Sequence, residues 1–145
     1  FTLIELLVVI AIIGLLSTIS IVVLNGARMK SRDAKRVSDI QVIRAGLEQH
    51  WIERAAYPLS ASPENLGTGS YQVLTSNGFQ ATPTGSVYLA RVPVGARSGE
   101  YYTYECDTAT IGYSIQFTTE SITSYGPAGT YYAHSDSVDT SATQK

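Results

Sequence analysis

The chain has a single cysteine, Cys106, among its 145 residues, so it cannot form a disulfide bond within itself. Ten tyrosines and many Ser, Thr and Gly residues are nonetheless typical of an exported surface protein. Cys106 stands in an apolar, tyrosine-rich stretch, and we expect it to be packed; a reactive or intermolecular thiol is the alternative. The C-terminal part of the chain must therefore be stabilised by noncovalent contacts.

The chain also lacks a strong net charge. Its 10 basic and 12 acidic residues nearly cancel, which argues against nucleic acid as the principal partner. The charges are unevenly distributed, because residues 1–54 hold seven basic and five acidic side chains whereas residues 55–145 hold three and seven. We expect the two parts to lie in different surroundings.

Recognisable catalytic motifs are missing as well. His50 and His134 lie far apart in the sequence, and the chain has neither a phosphate-binding glycine loop nor a nucleophile elbow. We interpret His50 as a helix-surface residue. Asp107, Asp136 and Asp139 do not have the spacing of a calcium site. The sequence therefore predicts no enzyme, no metal and no cofactor.

Proline is absent from residues 1–57, which favours one continuous helix that ends near residue 54. Residues 1–24 are almost entirely apolar and would form a helix of about 36 Å, enough to cross a bilayer. Residues 25–54 are amphipathic, with an apolar stripe that consists of Val37, Ile40, Ile43 or Arg44, Leu47 and Trp51. The whole helix would be about 80 Å long, so its first half must find partners in lipid or in neighbouring subunits.

Glu5 is the one charged side chain within the apolar segment. An ionised carboxylate in hydrocarbon costs at least about 2.5 kcal/mol, which suggests a functional role; a solvated position at the level of the lipid headgroups is the alternative. The α-amino group of Phe1 is largely cationic at neutral pH. Pairing Glu5 with Phe1 of a neighbouring chain, displaced by about one helical turn, would cancel both charges and set the stagger between subunits.

The segment FTLIELLVVIAIIGLL at residues 1–16 resembles the N-terminus of mature type IV pilins and type II secretion pseudopilins. The resemblance implies that a prepilin peptidase removes a short basic leader before Phe1 and N-methylates the new terminus, and that Glu5 is required for assembly. The following stretch SRDAKRVSDIQVIRAGLEQHWIERAAYP is similar to the pseudopilin-like branch, to about residue 58. The stretch VYLARVPVGARSGEYYTYECD is similar to the pattern of pseudopilin heads.

We therefore expect a structural subunit that polymerises into a type IV pilus used for adhesion, motility or DNA uptake. A pseudopilin of a type II secretion system and a membrane-tethered binding module are the alternatives. The implied partners are other copies of the chain, the inner membrane before assembly, the prepilin peptidase and the pilus assembly machinery, with DNA or a host surface as targets of the fibre. The chain would be anchored in the membrane before assembly and extracellular afterwards.

Two further features of the helix have alternative interpretations. Gly14 and the β-branched stretch at 17–23 are poor helix formers, so the helix would loosen there on assembly or else present an ordinary lipid-facing surface. Many type IV pilins carry a proline where this chain has Val22. The second feature is a basic cluster, which consists of Arg28, Lys30, Arg32, Lys35 and Arg36.

This basic cluster would form a solvated face or meet acidic surfaces of adjacent subunits. The positive-inside rule would keep it on the cytoplasmic side of the membrane. The family resemblance requires the opposite orientation, which we adopt because the remainder of the chain has the composition of an exported protein.

The predicted fold class is α+β, in which the C-terminal half of the helix packs on a small antiparallel sheet. Residues 55–85 are expected to form a connecting loop, because they are rich in Ser, Thr, Gly, Pro and Asn. Residues 86–119 are expected to form the sheet, with strands at 87–92, 101–106 and 113–118. Residues 120–145 are expected to form a surface tail, in which the Tyr131-Tyr132 pair packs on the head or mediates adhesion.

Overall fold

The computed structural model describes residues 1–108 and 112–144 of the chain. It begins with a single long helix, α1 (Leu3–Arg54). The strands that follow are β1 (Ser60–Asn65), β2 (Val73–Thr75), β3 (Gly78–Gln80), β4 (Val87–Leu89), β5 (Thr103–Cys106), β6 (Ser114–Thr119), β7 (Gly129–Ala133) and β8 (Val138–Asp139). We call these strands, their loops and the part of α1 packed on them the head.

Helix α1 is continuous over 52 residues and is closed at both ends by its own sequence. A reciprocal capping box between Thr2 and Glu5 satisfies N–H groups of the first turn. At the other end Ala55 adopts a left-handed conformation with φ of 51°, and its N–H donates to the carbonyl of Trp51 at 2.7 Å. Pro58 follows shortly afterwards, where the helix can no longer continue.

The strands form two antiparallel sheets rather than the single expected sheet. The larger has the order β1-β5-β6-β7-β8, and the smaller has the order β3-β2-β4. Strand β4 belongs to the smaller sheet because Leu89 pairs with Leu74 of β2. Of the three expected strands, β5 and β6 lie side by side in the larger sheet, and β4 ends at Leu89.

The core lies between the second half of α1 and the strands, with which α1 makes contacts at β2, β4 and β6. Ile40, Ile43 and Leu47 of the predicted stripe are completely buried. They belong to one apolar cluster that also includes Tyr104 and Ile115 of the larger sheet. The predicted α+β fold, with the C-terminal half of a long helix packed on antiparallel strands, is confirmed.

The expectation of a connecting loop over residues 55–85 is wrong, because β1, β2 and β3 lie there. Strand β1 contains Pro63 and occupies an edge of the larger sheet, where a proline does not interrupt a ladder. Strands β2 and β3 form a hairpin around Asn77, with Gly78 at φ of 91°. Strand β1 depends on the distant β5, and β2 depends on β4 as well as on the hairpin, so these short segments carry little local sign of their pairing.

The expectation of a surface tail over residues 120–145 is also wrong for most of its length. Strand β7 pairs with β6 over five residues, and β8 adds the next edge. Tyr131, Ala133 and His134 are buried, so Tyr131 is a packing residue. Residues 109–111, within the expected sheet, and Lys145, at the end of the expected tail, lie outside the described residues.

Candidate assembly surface

The first half of α1 has no contact that buries it. Every residue from 1 to 28 is exposed, and the most apolar window of the helix contains no buried side chain. The helix is long and apolar enough to cross a membrane. A continuous apolar surface of this size is unstable in water, so it requires lipid or another protein surface.

Glu5 is held by Thr2 at the start of this apolar segment. The backbone N–H of Thr2 donates to Oε2 of Glu5 at 2.7 Å, and the Thr2 hydroxyl donates to the same oxygen at 3.0 Å. The N–H of Glu5 donates in return to the Thr2 hydroxyl at 3.3 Å. Both bonds to the carboxylate reach Oε2, which leaves Oε1 for a further partner.

Phe1 is fully exposed and precedes the helix. Among the residues that the structure describes, its amino group forms no ion pair with Glu5 of the same chain. Phe1 and Glu5 of one chain are therefore not paired with each other. Pairing between neighbouring chains stays a prediction.

The helix continues without interruption through Gly14, around which a Cβ atom would meet nothing within 4 Å. The hydroxyl groups nearby are satisfied inside the helix, because Ser17 donates to the carbonyl of Ile13 at 2.7 Å and Ser20 donates to that of Leu16 at 2.8 Å. Such back-bonding allows hydroxyl groups to enter hydrocarbon without an unsatisfied donor. Loosening of the helix at Gly14 stays a prediction.

The basic cluster divides into two groups. Arg28 and Lys30 are exposed, whereas Lys35 pairs with Asp39 at 2.5 Å. Arg32 and Arg36 bind carboxylates of the chain's own head. Of the two alternatives for this cluster, neither describes Arg36, which is buried and paired within its own chain, and Arg32 is likewise paired by the fold. Contact of Arg28, Lys30 and Lys35 with adjacent subunits stays a prediction.

Arg36 is the centre of a buried ion network, with a side chain that is only 2% exposed. Its Nε and Nη2 donate to the two carboxylate oxygens of Glu100 at 2.6 and 2.8 Å. Its Nη1 lies 2.7 Å from an oxygen of Asp33 and 2.7 Å from an oxygen of Glu120. A bidentate pair of this kind fixes orientation as well as charge.

Asp33 connects α1 to the loop after β6. Its carboxylate accepts hydrogen bonds from the backbone N–H of Glu120 at 2.9 Å, and from the N–H and hydroxyl of Ser121 at 2.7 and 2.6 Å. Burial would raise the pKa of Asp33, but the hydrogen bonds from Ser121, Glu120 and Arg36 outweigh it and lower the pKa. Asp33 is therefore ionised at neutral pH although it is buried.

Glu120 completes the network. It accepts two hydrogen bonds from Arg32, at 2.9 and 2.5 Å, and one from Arg97 at 2.5 Å. Hydrogen bonding to Arg32, and then to Arg36, lowers the pKa of Glu120 to about 2. Arg32, Arg36 and Arg97 balance Asp33, Glu100 and Glu120 in charge. The acidic members at 100 and 120 were missed by sequence reasoning, since nothing local connects them to the helix.

A shallow groove of about 470 Å³ lies beside this network. Lys30, Ala34 and Val37 of α1 form one side, and Ile122 and Thr123 of the loop after β6 contribute to the other. A hydrogen-bonded turn between Thr123 and Gly126 shapes this loop. The groove therefore opens at the end of the head that faces the apolar half of α1.

The remaining candidate residues have structural surroundings. His50 is buried, with Nδ1 2.7 Å from the carbonyl of Ala56, so its expected position on the helix surface is wrong. Cys106 is completely buried, and burial raises the pKa of its thiol, so the expected packing is confirmed. Within residues 1–108 and 112–144, no group of three or more His, Cys, Asp or Glu side chains could hold a metal ion.

Comparison with known proteins identifies no relative, because no family model, no curated protein and no solved structure matches this chain.

Proposed function

We propose that this chain is a structural subunit that is anchored in a membrane by the first half of α1 and then polymerises into an extracellular filament of the type IV pilus class. The observation that carries the proposal is the division of α1. Residues 1–28 are exposed, whereas Ile40, Ile43 and Leu47 further along the same helix are completely buried in the head. The head thus leaves an apolar rod for other partners.

A membrane and the axis of a filament would both provide apolar contacts for the exposed half of α1. In a bilayer the apolar side chains contact lipid, and in a filament they contact the equivalent segments of neighbouring subunits. The helix cap by itself does not require a charge at this position, because Gln serves as well as Glu in a capping box, whereas an ionised carboxylate is costly in hydrocarbon. Glu5 is therefore the residue that favours polymerisation over simple anchoring.

The capping box gives Glu5 a second, purely local role that any test must separate from assembly. One carboxylate oxygen is held by Thr2, and Oε1 remains for the amino group that cleavage before Phe1 would leave on a neighbouring chain. Such a pair would be drawn together strongly in a low-dielectric axis. It would also fix the axial offset between adjacent subunits.

The test is electron microscopy of material sheared from cells that express the chain, with mass spectrometry to identify it. Glu5→Gln keeps a side chain suited to the capping box but removes the charge. Thr2→Ala removes the cap but keeps the charge. We expect filaments from the wild type and from Thr2→Ala, and only membrane-bound monomer from Glu5→Gln.

Two outcomes would contradict this proposal. Membrane-bound monomer from the wild type would favour a membrane-tethered binding module instead. Filaments from Glu5→Gln, together with their loss in Thr2→Ala, would show that Glu5 contributes only the helix cap. Membrane fractions must contain equal amounts of each variant, since loss of insertion alone would also remove filaments.

A further inference from the structure

We propose that the end of the head nearest the apolar half of α1 docks on an anionic lipid surface, through Ile122 and the cations Arg28 and Lys30. We call this end, formed by residues 28–36 of α1 and residues 120–126, the base of the head. The inference rests on the membrane anchoring proposed above, but it does not require polymerisation. Under this proposal lipid contacts the head itself and not only the apolar half of α1.

The position of the base follows from the helix geometry. Lys30 lies six residues beyond Leu24, the last residue of the apolar segment, and Asp33 lies nine residues beyond it, which correspond to about 9 and 14 Å along the axis. The headgroup layer on each side of the hydrocarbon is roughly 5–8 Å thick. When the apolar segment spans the bilayer, Arg28 lies among the headgroups, Lys30 lies at their outer edge, and Asp33 lies about 5 Å beyond Lys30 along the axis.

The ion network holds Ile122 near the level of Asp33. The neighbouring residue Ser121 is fixed to Asp33 by hydrogen bonds of 2.7 and 2.6 Å, and the turn from Thr123 to Gly126 closes the loop behind it. The side chain of Ile122 is nevertheless 82% exposed. A single exposed isoleucine is ordinary on a protein surface, but this one lies beside the first turns of α1 beyond the apolar segment.

The charge of the base is complementary to an anionic membrane. The base and the side chains that form ion pairs with it hold six cations against four carboxylates, which gives a net charge of +2; the cations are Arg28, Lys30, Arg32, Lys35, Arg36 and Arg97, and the carboxylates are Asp33, Asp39, Glu100 and Glu120. The three arginines of the network are neutralised by its carboxylates. Arg28 and Lys30 are exposed and form no ion pair among the described residues, so both remain free for lipid phosphates.

Docking of this kind would hold the head at a defined height above the bilayer. Each Lys or Arg near an anionic membrane strengthens attachment roughly fivefold. The two free cations together would therefore shift the ratio of docked to undocked heads by roughly 25-fold. Apolar contact by Ile122 would add to this without dependence on salt.

The experiment uses the full chain reconstituted in vesicles and recovered by flotation. Ile122→Cys is labelled with an environment-sensitive fluorophore, and the wild type is the blank because Cys106 is completely buried. Ile52→Cys is the matched control: Ile52 is 77% exposed on the same helix, but it lies 28 residues beyond Leu24, about 42 Å along the axis. The lipid is an anionic phosphatidylglycerol mixture or neutral phosphatidylcholine.

We expect a blue-shifted emission, and protection from a water-soluble quencher, for the probe at 122 on anionic vesicles but not for the probe at 52. The shift should be lost on neutral vesicles. It should also be smaller in an Arg28→Gln/Lys30→Gln variant, because the ratio of docked to undocked heads should be roughly 25-fold lower. High salt should reduce it, because about 1 M salt shortens the screening length to about 3 Å.

Several distinct outcomes would overturn the inference. Identical emission at 122 and 52, or a shift that ignores lipid charge, would exclude docking on anionic lipid. A shift that grows with the ratio of protein to lipid would show that a second copy of the chain covers the base. Chains that do not float would refute the membrane anchoring itself, whereas chains that float without a shift would refute only the docking.

Discussion

Replacing Arg36 with alanine would test whether the buried ion network holds the loops of the head on α1. The guanidinium is 2% exposed and contacts three carboxylates that come from α1, from the loop before β5 and from the residue after β6. Removal of the guanidinium would take different numbers of hydrogen bonds from the three carboxylates. Glu100 loses both side-chain bonds and keeps the N–H of Arg97 at 3.1 Å, whereas Glu120 keeps Arg32 and Arg97.

The expected cost is therefore that of a carboxylate left partly buried without its cation. Removal of one partner of a buried pair costs about 3–5 kcal/mol of unfolding free energy. Arg28→Ala is the matched control, because Arg28 lies on the same helix, is exposed and forms no ion pair among the described residues. Its effect should stay within about 0.5 kcal/mol.

The assay is denaturant unfolding of the full chain in detergent micelles, followed by the fluorescence of Trp51. This side chain reports on the head because its ring stacks on Tyr57 at a centroid distance of 4.7 Å. Adding Glu100→Gln to Arg36→Ala should recover part of the loss, since the orphaned charge is then removed. A loss below about 1 kcal/mol, or equal losses for Arg36→Ala and Arg28→Ala, would refute the role of the network.

Two other predictions concern the same head. The pKa of Glu120 is lowered from 4.5 to about 2, and the pKa values of Asp33 and Glu100 are lowered as well. The stability that these groups contribute is therefore present above about pH 4.5 and is lost as the pH falls towards 2. Melting temperatures measured between pH 7 and pH 2 should show this decline, and the decline should be smaller in Glu120→Gln. Gly46→Ala should lower the free energy of unfolding by about 1–3 kcal/mol, because the new Cβ would lie 2.6 Å from Cγ of Leu89. Gly26→Ala should stabilise the helix by about 1 kcal/mol, because a Cβ there meets nothing within 4 Å. Thermal unfolding of the two variants gives the comparison, and equal effects would contradict the close packing at Gly46.

The helix could be predicted from the sequence because its determinants are local. The absence of proline before Pro58, the change from an apolar to an amphipathic pattern near residue 25 and the spacing of Ile40, Ile43 and Leu47 all act within a few turns. The α+β class followed, because an amphipathic half-helix needs a covering layer. The position of Glu5 within the apolar segment, which leads to the proposed assembly, is likewise a property of the sequence alone.

The tertiary structure decided which distant segments pair. Strand β1 is polar and contains Pro63, and it exists because β5 offers it a ladder. Strand β7 lies in a stretch rich in Ser, Thr and Gly, and it is ordered by pairing with β6. The energy of a strand comes from its neighbours, so a short polar segment carries little local sign of them.

The same distinction separates the two groups of basic residues. In the sequence, Arg28 and Arg36 belong to one run of positive charge. The fold places Arg36 against Glu100, which is 64 residues away, and Arg32 against Glu120, which is 88 residues away. Among the described residues it brings no carboxylate into an ion pair with Arg28. The sequence determines the type and the spacing of the charges. The partner of each charge depends on long-range packing, so only the folded head shows which cations remain free.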